Sequence, residues 1–579
     1  MSSLLDGGRY RHPAFPASRS NPASSIGSCS PPGDREKPSA WLDREKALSL
    51  VRLPVGEIGR RTAAAGKAAE EATEVSASGR MGRKMERVFL LFPPARLPDE
   101  TAQIASCPLG VGYLAAAVRN EVEVQVMDAV AESEHVHPMD GDFAWYGAPL
   151  SEIRRRIERF QPDLVGITCL FSSVFPVVRQ ICREVKQIDP GIVTITGGTY
   201  PSFMAERCLG EPALDLIAQG EGESVLRDVI AALRNGNDLG GIDGLAYRDG
   251  ERVVVNPKTR WIEDLDGIAF PARDLLPMDV YKKRGIPHSL SISGSTFAPM
   301  ITSRGCPARC IYCSSSRYWG NRYRFRSADN VLDEIGELVE RWGIDEIQFE
   351  DDNMTAKRKR AQAIFRGIIE RGYDIRFNFP NGVALWTLDE PLVDLMREAG
   401  CYQMTLAYES GSQEVLRDIV KKPTRLDHAA RITEYIHARG IRTDAFFIIG
   451  FPGESREQIA ETFRFADRMR TDIAQFFVAN PLPGTELYEL AAGRGMLRDD
   501  FDFENLWYSR SAYRDTVSPS GRELERLAAR GFVLHALRSF VRKPDIFLKR
   551  LLVELLLKRP GYTLSMINRI WRRNLRTLG

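Results

Sequence analysis

The chain lacks a long apolar run. Its most hydrophobic stretch, Leu551-Leu552-Val553 and then Leu555-Leu556-Leu557 past Glu554, falls short of the roughly 20 residues that a membrane-spanning helix needs. The first forty residues hold no continuous apolar core, so a secretory signal is not expected. Charge of one sign is missing too. Basic residues number 79 and acidic ones 77, a formal net charge of +2 that gives no global pull towards nucleic acid. Histidine is scarce, with seven in the chain, and the nine cysteines follow no disulfide-like spacing. Such thiols read as reduced and point to the cytoplasm. Finally, no Gly-x-Gly-x-x-Gly follows the first strand-like run, which weakens a dinucleotide reading.

What remains is an ordinary globular composition, 43% apolar and 27% charged, on a chain of 579 residues with room for three or four domains. Residues 1–84 are rich in Ser, Pro, Gly, Ala and Arg and read as a disordered leader. Met81 and Met85 stand just before the first strand, so an over-extended gene start is one reading of that leader. From Val88, five apolar strand runs alternate with helices up to residue 235: 88–92, 123–127, 164–169, 192–196 and 215–218. This pattern predicts a Rossmann-like open parallel sheet over 85–235, with ligands at the carboxyl ends of its strands. Those ends carry Ser172-Ser173, Gly197-Gly198 and Gly220-Glu221-Gly222. Glycines let a backbone approach a large flat or phosphate-bearing ligand, and hydroxyls bond to it. Residues 236–295 read as a linker holding a hairpin turned at Asp249-Gly250.

Chemistry concentrates in Arg304-Gly305-Cys306-Pro307-Ala308-Arg309-Cys310-Ile311-Tyr312-Cys313. Three thiolates within eight residues can wrap one soft metal centre and leave a coordination position open. Structural zinc would want a fourth Cys or His nearby, and a disulfide would strand one thiol. An iron–sulfur cluster fits better than zinc or a chance grouping. Over 296–495 the pattern gives six βα units, too few to close an eight-stranded barrel, so a partial and laterally open (β/α)6 barrel is expected. Its strand ends carry Glu350-Asp351-Asp352-Asn353, Glu409-Ser410 and Gly450 to Glu454. A solvated acidic turn and a helix cap at Asn353 are the plain alternatives.

The cysteine loop resembles the cluster motif of the radical S-adenosylmethionine (SAM) enzymes, Cys-x3-Cys-x2-Cys with an aromatic before the last cysteine. The resemblance implies that Cys306, Cys310 and Cys313 hold a [4Fe–4S] cluster whose open iron takes SAM. It sets Tyr312 against the adenine and Glu350 and Asp351 near the amino group. Glu409 and Ser410 would meet the ribose and carboxylate, with Gly450 to Glu454 near the adenine. The upstream domain is similar to the cobalamin-binding domain of the B12-dependent class in Pro93-Pro94, Leu109 to Leu114, the serine loop, the double glycine and Gly220 to Glu223. The Asp-x-His-x-x-Gly element of other B12 proteins is missing, because Ala129 and Val130 follow Asp128. The resemblance therefore implies cobalamin bound without a protein imidazole, and His135 and His137 read as solvated surface.

The implied function is B12-dependent radical SAM methylation of an unactivated carbon or phosphorus, through a 5′-deoxyadenosyl radical and methylcobalamin. A non-methylating cyclase of the anaerobic Mg-protoporphyrin ester type and a cobalamin-responsive binding protein are the alternatives. Expected partners are a small-molecule substrate and a flavodoxin or ferredoxin as electron donor. Residues 496–579 turn helical, and 530–579 hold twelve Lys or Arg against two acids. Packing on the barrel is the expectation for this region, and peripheral contact with an anionic membrane is the alternative.

Overall fold

The computed structural model describes residues 85–98, 106–139, 143–285, 287–289, 293–507, 510–542 and 544. The expectations for 1–84 and for the basic tail past 544 lie outside the described residues. All described residues fall in one compact unit.

Strands β1 (Arg87–Phe92), β2 (Glu123–Asp128), β3 (Leu164–Thr168), β4 (Val193–Gly197) and β5 (Leu216–Ala218) run parallel in the order β2-β1-β3-β4-β5. The sequence shows why both faces are covered. Along β1, Val88 and Leu90 point into a core shared with α1 (Leu109–Val118) and α4 (Gly222–Asn235). Phe89 and Leu91 point the other way, into a core with α2 (Leu150–Phe160) and α3 (Phe175–Ile188). A strand that is apolar on both faces suits a doubly wound sheet, and this strand order sets the carboxyl ends of β3, β4 and β5 side by side.

The hairpin of β6 (Leu245–Asp249) and β7 (Arg252–Val255) turns where the sequence placed it, yet it is no free connector. β6 pairs antiparallel with β5 through Leu216↔Tyr247, Ile217↔Ala246 and Ala218↔Leu245, which widens the sheet to seven strands. The physical reason is that Leu245-Ala246-Tyr247 is apolar on both faces, and a lone hairpin cannot bury it. His137 also departs from expectation. It sits in a short strand, Val136–Pro138, with its ring stacked at 5.3 Å on buried Trp145 rather than solvated.

The second sheet is the barrel. β8 (Phe297–Met300), β9 (Glu346–Phe349), β10 (Arg376–Val383), β11 (Cys401–Glu409), β12 (Arg442–Ile449) and β13 (Ile473–Val478) pair in parallel in chain order. β8 and β13 do not pair with each other, so the barrel is open, as six units imply. Residues such as Ile347, Phe377, Met404 and Ala445 pack outward against α5 (Ala328–Glu340), α6 (Arg358–Glu370), α7 (Glu390–Glu398), α8 (Leu426–Ala438) and α9 (Arg456–Met469). Three of these helices start on readable caps. Ser327, Asp389 and Ser455 each accept a hydrogen bond from the backbone N–H three residues on.

After α10 (Glu486–Gly493) the chain returns to the first sheet before it comes back to the barrel. Ser172 Oγ donates to the Phe503 carbonyl at 2.6 Å, and Arg96 donates to the Glu504 carbonyl at 2.7 Å. The Glu504 carboxylate pairs with Arg179 at 2.6 Å. α11 (Gly521–Arg542) then lies on the barrel, with Leu524 and Ala528 against Ile449 and Val478. The helix packs on the barrel as expected. The described residues of 496–520, expected to be helical, hold only the short helical turn Phe503–Asn505, because this stretch bridges the two sheets. No helix among the described residues is long and apolar enough to cross a membrane.

Candidate functional site

The cysteine loop leaves a two-stranded hairpin, Ser303–Arg304 with Arg324–Phe325, that caps the carboxyl end of β8. Gly305 turns the chain at φ +86°, and a Cβ there would lie 2.2 Å from the Arg322 carbonyl oxygen, so only glycine fits. The loop is pinned at its centre, where Ile311 N–H donates to the Val420 carbonyl at 3.1 Å and Leu487 N–H donates to the Ile311 carbonyl at 2.9 Å. Cys306, Cys310 and Cys313 are free thiols. Burial pushes all three up, Cys310 to about 11 and Cys313 to about 12. A metal centre bound to such thiols would take them as thiolates and displace their protons.

Among the described residues no three His, Cys, Asp or Glu side chains converge on a point that would hold one ion. Asn353 Nδ2 reaches 3.7 Å from Cys306 Sγ and makes no cap, so the helix-cap alternative for it is not what forms.

Around the loop, the residues expected at the strand ends divide into two groups. In the first group, Tyr312 and Glu409 meet beside the loop, while Glu350 and Gly450 have other neighbours. Tyr312 lies tilted at 53° to Phe451, centroids 6.1 Å apart, and its hydroxyl bonds to Glu409. Glu409 ends β11 at φ +69° beside a register shift, a strained setting for a non-glycine residue and one common at working sites. Its carboxylate pairs at 2.9 Å with Lys422, and both side chains are 7% exposed. Glu350 meets His288 Nδ1 at 3.1 Å. Gly450 turns at φ +84°, with its N–H 2.6 Å from the Glu454 carboxylate. Burial raises Glu454 to about 7 against the hydrogen bonds from Phe451 and Gly450, and its Oε1 has no partner.

The second group turns away. Asp351 accepts from Thr302 N–H at 3.1 Å, from Thr302 Oγ1 at 2.8 Å and from Ser303 Oγ, so its carboxylate is fully used in tying β9 to the loop entrance. Ser410 is fully buried, with its hydroxyl between Thr462 Oγ1 at 3.1 Å and the Ser412 N–H. Neither atom is available to a ligand. Asp352, for which a solvated acidic turn was the alternative, bonds Ser315 Oγ at 2.7 Å and the Gly305 N–H, on either side of the cysteines.

On the first sheet, the carboxyl ends of β3, β4 and β5 form a bed. A Cβ on Gly198, at φ +122°, would lie 2.5 Å from the Cys169 carbonyl oxygen, and one on Gly197 3.1 Å from that of Ala218. Thr168 Oγ1 and Gln219 Oε1, on the flanking strands, are buried without partners. Beside them Leu170 and Phe171 are 50% and 69% exposed. Both glycines are required by the close approach of this chain's own backbone. The two unpartnered polar atoms and the uncovered apolar side chains suit a large ligand with a flat apolar body and polar edges, as a corrin has. Ser172 and Ser173 sit at its rim, but Ser172 Oγ is taken by Phe503 and the Ser173 carbonyl accepts from Arg96 at 3.5 Å. No histidine follows Asp128, whose buried carboxylate accepts from Val130 and Ala131 N–H and from Tyr281 Oη at 2.6 Å.

Gly220, Glu221 and Gly222 do not join this bed. Their turn faces the barrel, where Glu221 and Glu223 hold Arg304 and Arg324. Sequence reasoning missed Glu223, Lys422 and the arginines as partners, since nothing local marks an ion pair formed across 83 residues. It also missed a polar layer inside the barrel. There Glu346 accepts from Tyr402 Oη at 2.8 Å, and Gln348, Asn378 and Gln403 each keep a buried carbonyl oxygen without a partner. Polar residues alternating with apolar ones along β9 to β11 were the available signal.

Residues 300–466 match the model of the Radical SAM superfamily, and residues 101–230 match that of the B12 binding domain. The chain is 32% identical to the cytidylyl-2-hydroxyethylphosphonate methyltransferase of Streptomyces wedmorensis, over 77% of this chain and 89% of that protein. It is 30% identical to the anaerobic magnesium-protoporphyrin IX monomethyl ester cyclase of Rubrivivax gelatinosus, over 65% of this chain and 66% of the cyclase. The solved structure of the cobalamin-dependent S-adenosylmethionine radical enzyme OxsB, with aqua-cobalamin and S-adenosylmethionine bound, shares the fold. Its TM-score is 0.62 at 17% identity, over 85% of this chain and 80% of that one.

Proposed function

The chain belongs to the cobalamin-dependent radical SAM enzymes, and from that premise we propose that it methylates an unactivated carbon, or a phosphorus, of a biosynthetic intermediate. The observation that carries the reading is the presence, in one compact unit, of a three-thiol loop and a bed with unpartnered polar atoms. The methyltransferase relative, matched over 89% of its length, supports methylation in particular.

The residues fit a [4Fe–4S] cluster, SAM and cobalamin. Cys306, Cys310 and Cys313 would hold the cluster. Tyr312, Glu350, Glu409 and the turn at Gly450 would line SAM, while Asp351 and Ser410 brace that wall from behind. Gly197, Gly198, Thr168 and Gln219 would cradle cobalamin. When bound, the cluster and SAM supply a 5′-deoxyadenosyl radical able to take hydrogen from carbon, and cobalamin supplies a methyl carrier. The protein holds these groups in register and keeps water away. Lys422 balances the charge of Glu409 beside the loop, and the apolar ring of Phe451 shields one side of Tyr312.

Two further parts of the reading rest on sequence. A flavodoxin- or ferredoxin-type protein would deliver the electron, and peripheral contact of the basic residues of 530–579 with an anionic membrane is the alternative to their packing on the barrel. Liposome flotation with and without residues 540–579 checks the latter, and equal behaviour ends it. The cyclase relative favours a second reading, a non-methylating oxidation or cyclisation at the same site. A cobalamin-responsive binding protein without catalysis fits less well, because all three thiols are intact.

The test is anaerobic reconstitution of the full chain with iron, sulfide, cobalamin, reductant and SAM carrying a labelled methyl group. The reconstituted protein is incubated with metabolites from a strain lacking it. One metabolite gaining the label is the expected result. An oxidised product without label would transfer the assignment to the second reading.

A further inference from the structure

Immediately before the cysteines, Arg304 is buried between two rings, Trp319 and Tyr113, at 5.4 and 5.6 Å from its guanidinium carbon. Its Nη1 donates to Glu221 Oε1 at 2.7 Å and its Nη2 to Glu223 Oε1. Arg324, its partner across the hairpin, donates to the same Glu221 oxygen at 2.7 Å. The other oxygen of Glu221 accepts the Ile262 N–H at 2.8 Å. The four side chains are between 0% and 10% exposed. Two cations and two anions leave the cluster of charges neutral. On the far side of the cysteines, Tyr318 Oη donates to the Gly220 carbonyl at 2.9 Å. One turn of the cobalamin-side domain, Gly220 to Glu223, thus clamps both shoulders of the cysteine loop.

A buried ionic network is an expensive way to join two domains, since apolar side chains of similar volume often do as well or better. What it supplies is geometry. A guanidinium fork bonded to two carboxylates fixes position and angle together. Arg304 lies two residues before Cys306, and Gly305 between them is held in a single turn. The same turn starts at Gln219, whose side-chain oxygen is buried without a partner. We propose that Glu221 and Glu223 are positioning residues for the cysteine loop, so that the B12-binding domain sets the place and charge environment of the iron–sulfur cluster. This rests on reading Cys306, Cys310 and Cys313 as cluster ligands.

The test compares the full-length wild type with Glu221→Gln, Glu223→Gln and Glu223→Asp, each reconstituted anaerobically without cobalamin. Iron per chain, the electron paramagnetic resonance (EPR) spectrum of the reduced cluster and its midpoint potential are measured. Removing one negative charge leaves the arginines under-compensated beside the cluster and favours its reduced, more negative state. The glutamine variants are expected to take up iron as the wild type does but to show a broadened EPR line and a potential displaced towards positive values. Glu223→Asp returns the potential to the wild-type value. With SAM and cobalamin added, the glutamine variants release several-fold more 5′-deoxyadenosine per product. Spectra and potentials identical to wild type, with only the melting temperature lowered, would overturn the proposal and leave the network as domain cement. A wild type that takes up no iron would instead remove the cluster reading, and the proposal with it.

Discussion

The rim of the cysteine loop and the carboxyl end of the first sheet are built on opposite plans. Around the loop the carboxylates are tied to hydroxyls, amides and cations before any cofactor arrives, with Glu454 Oε1 and Arg324 Nε left over. Asp351 and Asp352 hold one side, Glu221 and Glu223 the other, and Glu409 with Lys422 the floor. On the sheet, Thr168 and Gln219 are left unsatisfied and Phe171 is uncovered. The contrast teaches what each region has to do. A loop that grips a small inorganic cluster must be rigid on its own, whereas a bed for a large organic cofactor can take its missing bonds from that cofactor.

The largest expected effect tests the rigid side. Replacing Cys306, Cys310 or Cys313 by alanine removes the iron-dependent visible absorbance and abolishes turnover, measured as product per chain after reconstitution. A variant that keeps both would break the contrast outright. Next comes the floor. Lys422→Met leaves Glu409 buried and unpaired, which costs about 3–5 kcal/mol of stability in denaturant titration. The double variant Glu409→Gln, Lys422→Met recovers most of that loss.

The sheet side carries a pH signature. Burial raises Asp128 to about 6, against roughly 3.9 for an unfolded chain. Between these values the native carboxyl keeps its proton while the unfolded one has lost it, so unfolding releases a proton and rising pH favours unfolding. Asp128 therefore makes stability fall by roughly 3 kcal/mol from pH 4 to pH 6 and adds no slope above that. Asp128→Asn removes that share of the slope, which pH-dependent denaturation of the two proteins can show. The smallest effect sharpens the contrast. Gly198→Val sets a Cβ against the Cys169 carbonyl and should weaken cobalamin binding at least about tenfold, or about 1.4 kcal/mol, with iron content unchanged.

The same contrast explains what could be read from the sequence. Local pattern carried the doubly wound sheet, the six open barrel strands and the cysteine loop, because alternating apolar runs and ligand spacing are short-range signals. It also set Glu409 and Gly450 at strand ends and Tyr312 in the loop, and Tyr312 and Glu409 do meet. Direction was beyond it. Ser410 and Asp351 stand at the right strand ends, yet their side chains turn back into Thr462 and Thr302. Gly220-Glu221-Gly222 looked like a ligand loop and proved to face Arg304. Whether a residue at a strand end looks into the mouth or back into the fold is decided by partners dozens of residues away, which no local pattern records.

Everything in this account depends on an iron left without a protein ligand and open to SAM. The most direct measurement is electron–nuclear double resonance on the reduced, full-length protein with SAM labelled by 15N at its amino group or 17O at its carboxylate. Hyperfine coupling from the labelled atoms to the cluster is the expected result. A reduced cluster that shows no coupling to either label, with SAM bound, would contradict it.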